Sequence, residues 1–337
     1  MLMDDVILIE KHSQLEFIES MLPKLEGKPL ILLTSNFTYE QLESYNFRGY
    51  RWFDEFISNS DSKEIGEQIE HFLWNWFLDE DSKDISVVDE CSLGVTFASS
   101  IEILLNTIFR YDKGLRYLIN KKSRVFYASS VEYIVHEVIT SLSKSTNYTF
   151  ECVVDELKEG VIQPKEINWF DYRVRDLSNL FYCNSFGKSI VNIIFNHIKR
   201  RGANKPKVLY MPAGKEEHYF KQVHNSKERN FDWVLPLNMF NFTRLSYYWN
   251  SCGVKLNTNP IIAKLDSNIL KLQTELDCDL ITRIFDIYIY IYISGAINYY
   301  KNAFRQIKAI NPNLVICAAD TYESFSLVAQ AAKNLRV

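Results

Sequence analysis

Two short stretches hold the residue types that could do chemistry. In "VLYMPAGKEEHYFKQV" (Val208 to Val223) an apolar strand runs into Pro-Ala-Gly and then a helix. Gly214 falls at the carboxyl end of that strand, where open α/β sheets bind ligands, and Lys215 falls near free helix amides, a place for a phosphate or a sugar. Glu216 and His218 are the nearest groups of general-base type. The stretch is not a P-loop, which needs two glycines at fixed spacing and a hydroxyl after the lysine. An ordinary βα turn with an acidic first helical turn, favoured by the helix dipole, accounts for the same residues. In "AADTYESF" (Ala318 to Phe325), Asp320 ends a buried strand, so its carboxylate could take a sugar hydroxyl or a proton. Asp320 and Glu323 also have the spacing of a capping box, which explains both without chemistry.

Other polar clusters say less. Asp79 and Asp81 form a DxD and Asp277 to Asp279 read "DCD", but short acidic pairs of this kind are usually solvated turns. Ser92, followed by Leu93 and Gly94, is placed to be the N-cap of the next helix. No histidine pair has H-x-x-x-H or H-E-x-x-H spacing, so no metal site is expected. No G-x-S-x-G or catalytic-cysteine signature occurs either.

The elements that must position these residues alternate. "VILIE" (Val6 to Glu10) and "PLILLT" (Pro29 to Thr34) predict buried strands, "SQLEFIESMLPKL" and "FTYEQLESY" predict helices, and "FRGYRWF" predicts a third strand, giving βαβαβ and a parallel sheet. From Ser62 two long helical patterns, "SKEIGEQIEHFLWNWFLDE" and "FASSIEILLNTIFRYDKGLRYLI", flank a turn-rich connection. "RVFYA", "SVEYIVHEVITSL" and "YTFECVV" then predict strand, helix and strand, and a long helix around "LSNLFYCNSFGKSIVNIIFNHIKRR" follows. "RRGANKPK" (Arg200 to Lys207) packs charge, Gly and Pro, and marks a domain boundary. Beyond it the alternation restarts at Val208 and closes with the strand "NLVICAA" and a helix over Tyr322 to Asn334. "DIYIYIYI" (Asp286 to Ile293) alternates with period two, yet its length and helical flanks favour a helix.

Bulk properties remove several classes. A chain of 337 residues that is 47% apolar, with only 11 Gly and 8 Pro, can bury a large core. A net charge of -4 argues against a nucleic-acid partner, since affinity for phosphate backbones needs clustered Lys and Arg. The six cysteines lie far apart in apolar contexts, which fits a reducing, cytoplasmic setting. "MLMDDVILIEKH" lacks the positive start of a signal peptide, and the uninterrupted apolar core of "FDIYIYIYISGAINYY" is too short to span a bilayer. The basic cluster "HIKRRGANKPK" could meet anionic head groups, although such runs are more often solvated linkers.

With these residues in view, the stretches "KPKVLYMPAGKEEHYFKQV" and "NPNLVICAADTYESFSLVAQAAKNLRV" resemble the N-terminal half of GT-B-fold glycosyltransferases and the related UDP-N-acetylglucosamine 2-epimerases. Asp320 and Thr321 match the epimerases' Asp-Thr, with Ala319 where that family usually has Gly. "FLDEDSKDIS…CSLG", with Trp76 just before it, is similar to a phrase in bacterial surface-polysaccharide proteins. The resemblance implies an α/β chain with Rossmann-like parallel sheets: an N-terminal α/β module with a helical insertion over 1–200, then an acceptor-side GT-B-type half over 206–337. It implies sugar transfer from a nucleotide-sugar in capsule or lipopolysaccharide biosynthesis, with Glu216, His218 and Asp320 catalytic and Gly214, Lys215, Thr321 and Glu323 on substrate. No cofactor or metal is expected beyond the nucleotide-sugar donor, and the partners are a glycan or lipid-linked acceptor and a C-terminal Rossmann half. Location is expected in the cytoplasm, with peripheral attachment at the inner face of the membrane, and little activity is expected of this portion by itself. The alternatives are a UDP-sugar 2-epimerase-like enzyme and a non-catalytic carbohydrate-binding or scaffold module.

Overall fold

The computed structural model describes residues 5–11, 14, 22–25, 30–34, 50–120, 124–129, 131–145, 150–153, 206–211, 232–234, 258–272, 276–317 and 323–337. The helices expected at "SQLEFIESMLPKL" (apart from a short 3-10 turn over Leu22–Lys24), "FTYEQLESY", "LSNLFYCNSFGKSIVNIIFNHIKRR" and after "VLYMPAG" lie outside these residues. So do most of the expected boundary and the basic cluster before it. The chain forms two compact units, one of Met1–Trp74, Glu102–Asn168 and Leu272–Phe285, the other of Asn75–Ile101, Trp169–Lys271 and Asp286–Val337.

The first unit is built on β1 (Val6–Ile9), β2 (Leu30–Leu33) and β3 (Tyr50–Trp52), followed by helix α1 (Asn59–Asn75). A hairpin, β4 (Val87–Val88) with β5 (Cys91–Ser92), precedes the long helix α2 (Leu93–Asn120) in the chain; it and the start of α2 up to Ile101 belong to the second unit, the rest of α2 to the first. β6 (Val125–Ala128), α3 (Tyr133–Ser145) and β7 (Phe150–Val153) follow. The five long strands form one parallel sheet in the order β3-β2-β1-β6-β7. The chain is thus mixed α/β with a parallel five-stranded sheet whose order reverses at the β1/β6 junction, as in doubly wound folds.

Parallel sheets bury both faces, which is why these strands read as continuous apolar runs. All four residues of β1 and of β6 are buried. Ile7, Ile9, Ile31, Leu33, Phe126 and Ala128 form one core cluster, edged by Tyr50, Trp52 and Val153. At the amino end of the sheet Arg124 donates to both carboxylate oxygens of Asp5, at 2.8 Å each, and Asp5 is almost wholly buried.

The second unit holds β8 (Lys207–Met211), β9 (Asp232–Val234), α4 (Asn259–Ile269), β10 (Leu314–Cys317) and the helices around it. α5 (Cys278–Phe285) belongs to the first unit, where it packs on α3 and Asp277 caps it: its Oδ1 accepts from the Asp279 amide and its Oδ2 from Ser141 Oγ. "DIYIY" (Asp286–Tyr290) is a π-helical turn leading into α6 (Ile291–Ile310), so the period-two stretch is helical, as its length required. α7 (Glu323–Asn334) packs along α6. The second sheet is parallel, ordered β10-β8-β9.

Short amide side chains hold this unit together. Asn268 Nδ2 donates to the carbonyl oxygens of Asn75, Trp76 and Leu78 at 2.8, 2.9 and 2.8 Å. Gln330 reaches both the amide and the carbonyl of Ser92 and the Thr96 hydroxyl, and Asn334 reaches the Glu90 carbonyl and the Tyr300 hydroxyl. Asp89 and Glu90 adopt positive φ in the hairpin turn, a tight geometry that non-glycine residues tolerate only with local support.

Among the described residues, Leu93–Leu118 of α2 is long and apolar enough to cross a membrane by length and composition, and more than half of its best window is buried within the protein. Glycines let aromatic rings lie against this helix: a Cβ at Gly94 would overlap the Phe77 ring, and one at Gly114 the Phe53 ring. Gly66 on α1, by contrast, has nothing within 4 Å of its would-be Cβ. Gly94→Ala is expected to cost about 1–3 kcal/mol through overpacking, whereas Gly66→Ala should gain up to about 1 kcal/mol of helix propensity. Urea denaturation of the two variants measures this contrast; equal effects would contradict the packing described.

Candidate functional site

The carboxyl edges of parallel sheets at points where strand order reverses are the ligand-binding places of α/β folds. Each unit has one. In the second unit β8 lies between β10 and β9, and Met211 and Cys317 are register partners. The segments that follow β8 and β10 therefore leave the same edge of the sheet from adjacent strands. Gly214, Lys215, Glu216 and His218 follow β8, and Asp320 and Thr321 follow β10; all six lie outside the described residues. Glu323, the first residue of α7, is half-buried and accepts a hydrogen bond from the buried Ser100 hydroxyl. Burial pushes the Cys317 thiol up to about 11 and the Cys91 thiol up to about 12, so neither supplies a thiolate near neutrality.

At the junction of β1 and β6 in the first unit, Glu10 sits one residue beyond β1 and is 1% exposed. Its Oε1 accepts from the Tyr111 hydroxyl of α2 at 2.8 Å, and its Oε2 from the backbone amide of Glu132, just before α3, at 2.7 Å. Thr34, at the end of β2, hydrogen-bonds Tyr111 and directs its hydroxyl to the Glu10 carbonyl at 3.5 Å. The buried Gln14 closes the turn after β1, its Oε1 accepting from the Glu10 and Lys11 amides at 2.8 and 3.1 Å.

Burial, and then the nearby Glu132 charge, raise the Glu10 carboxyl from 4.5 to about 7. The hydrogen bonds from the Glu132 amide and Tyr111 pull the other way but do not offset the loss of water. Burial and the Glu10 charge likewise raise the Tyr111 phenol. The sequence reading missed this cluster. Its signal was a carboxylate ending a buried strand in "VILIE", the same pattern that singled out Asp320.

The acidic turns are structural. Asp79 Oδ1 accepts from the amides of Asp81 and Lys83, and Ser92 Oγ accepts from the Val95 amide as the N-cap of α2. Among the described residues no group of three His, Cys, Asp or Glu side chains could hold a metal ion. Comparison with protein-family models, curated proteins and solved structures finds no match.

Tyr111 and Glu10 share one hydrogen-bond chain, so their removal should be non-additive. At about pH 8, the Glu10→Gln, Tyr111→Phe double-mutant cycle is expected to show a coupling of at least about 0.5 kcal/mol in urea denaturation. Strict additivity would mean that the two side chains do not act as a unit.

Proposed function

We propose that the chain is the acceptor-side portion of a GT-B-like glycosyltransferase, moving sugar from a nucleotide-sugar onto a glycan or lipid-linked acceptor in surface-polysaccharide synthesis. The proposed setting is the cytoplasm, at the inner face of the membrane. One observation carries the reading: β8 and β10, far apart in the chain, stand side by side and parallel, with Leu314 the register partner of Val208. The segment with a general-base pair and the segment with the Asp-Thr thus start from neighbouring strand ends, which is what a shared acceptor site requires.

In this reading Glu216, His218 or Asp320 takes the proton of the acceptor hydroxyl as it attacks the donor sugar, and the nucleoside diphosphate leaves with the bonding pair. Gly214 and Lys215 neighbour phosphate or sugar, and Thr321 and Glu323 contact substrate hydroxyls. The hydrogen bond from Ser100 holds Glu323, the first residue of α7.

Calorimetric titration with surface-polysaccharide oligosaccharides tests the proposal. Binding is expected, weakened by at least about tenfold, or 1.4 kcal/mol, in Asp320→Asn and His218→Ala without loss of folding. Absence of binding, or variants that bind as the unsubstituted chain does, would sink it. Inversion of a free UDP-sugar at C2 in the same samples would point to the epimerase chemistry instead.

A further inference from the structure

The cluster at the β1/β6 junction joins four elements at one residue: Glu10 follows β1, Thr34 follows β2, α2 presents Tyr111, and α3 is preceded by the Glu132 amide. We propose that Glu10 is a proton-operated latch, which fastens the turn after β1 to α2 and to the start of α3 when protonated and loosens that edge of the sheet when it ionises.

The hydrogen bonds can be satisfied in two directions. With Glu10 protonated, Oε1–H donates to the Tyr111 oxygen, Tyr111 donates to Thr34, and Thr34 donates to the Glu10 carbonyl, closing a ring; Oε2 still accepts from the Glu132 amide. With Glu10 ionised the relay reverses: Tyr111 donates to the carboxylate and Thr34 turns to Tyr111. The Glu10 carbonyl then loses its side-chain donor, and a negative charge lies buried with only neutral hydrogen-bond donors among the described residues.

Among the described residues, the charged or titratable groups facing Glu10 are Glu132 from the lead into α3, Tyr111 from α2 and Lys11 next to it in sequence. β2 contributes only the uncharged Thr34. Glu132 opposes ionisation and Lys11 favours it, with burial the largest influence. The sign follows. The folded protein holds this proton more tightly than the unfolded chain, so the latch is fast at low pH, weakens as pH rises from about 4.5, and levels off above about 7.

Amide hydrogen exchange on the whole chain, read over residues 5–14 and 129–136, tests the latch. Between about pH 5.5 and about pH 8.5, after correction for intrinsic exchange, protection is expected to fall on the order of tenfold or more. Glu10→Gln, which reproduces the protonated donor and acceptor pattern, should remove that dependence. The Glu10 carboxyl carbon resonance should titrate near neutrality, move lower in Glu132→Gln and higher in Tyr111→Phe. Unchanged protection across the range, a Glu10→Gln variant with the original dependence, or a carboxyl resonance titrating like an ordinary glutamate would overturn the proposal. Should Glu10→Gln fail to fold, the resonance in the unsubstituted chain decides alone.

Discussion

Everything in the first unit depends on seating β1 in the middle of the sheet without leaving its polar ends stranded. Its four apolar residues are buried on both faces, and the residues at either end, Asp5 and Glu10, are carboxylates withdrawn from water. A buried carboxylate without partners would cost several kcal/mol, so the strand is viable only because both ends are engaged. The solutions differ. Asp5 meets a guanidinium in a two-toothed contact, while among the described residues the Glu10 carboxyl meets a hydroxyl and an amide. The guanidinium satisfies both carboxylate oxygens at one end; at the other, burial raises the Glu10 carboxyl despite its two neutral donors. Both engagements involve the β6 side, through Arg124 before it and Glu132 after it. They therefore reinforce the junction at which β1 and β6 share only three register pairs.

The second unit meets the same requirement with neutral groups. Helix ends and hairpin turns expose carbonyls, and Asn268, Gln330 and Asn334 supply the donors. The π-helical turn adds a further constraint. Tyr290 closes it by donating to Asp266 Oδ1 at 2.7 Å, and burial with the Asp266 charge raises the Asp286 carboxyl beside it. A wider turn is the way a helix accommodates an added residue while keeping its flanks in register. Here it falls where the tyrosine-isoleucine alternation is densest, with Tyr288, Ile289 and Tyr290 all buried.

Most regular elements were legible because burial on both faces writes strands as apolar runs and one-sided burial writes helices with a period near four. "VILI", "LILL" and "VFYA" are strands for the first reason, whereas "LVIC", expected to be buried, is a strand with Leu314 exposed and its other three residues half-buried. "DIYIYIYI" shows the limit of local pattern: period two favours a strand, but length and flanking helices win. The β4–β5 hairpin escaped notice because its turn uses Asp89 and Glu90 at positive φ where glycine or asparagine would have announced it. The Glu10 cluster was illegible for a different reason. Its partners lie 101 and 122 residues away, and no local period encodes which distant hydroxyl or amide will meet a carboxylate. Of the site residues read from the sequence, Glu323 is the one the structure describes, and it holds a hydrogen bond with Ser100 at the start of α7.

The two strand-order reversals invite comparison, because the chain treats them oppositely. A nucleotide-binding turn after a first strand needs small residues so that the backbone can approach a pyrophosphate at the next helix's amides. After β8 the sequence is Pro-Ala-Gly, which includes the small residues such a turn uses; after β1 it is Glu-Lys-His, which has none. In the first unit the chain's own carboxylate already lies against the lead into α3, and Gln14 ties back the turn that a phosphate would have to enter. A dianionic ligand there would meet Glu10 and Glu132 at close range and face like-charge repulsion unless Glu10 were protonated. A phosphate is therefore disfavoured at the first edge by the same buried carboxylate that organises it.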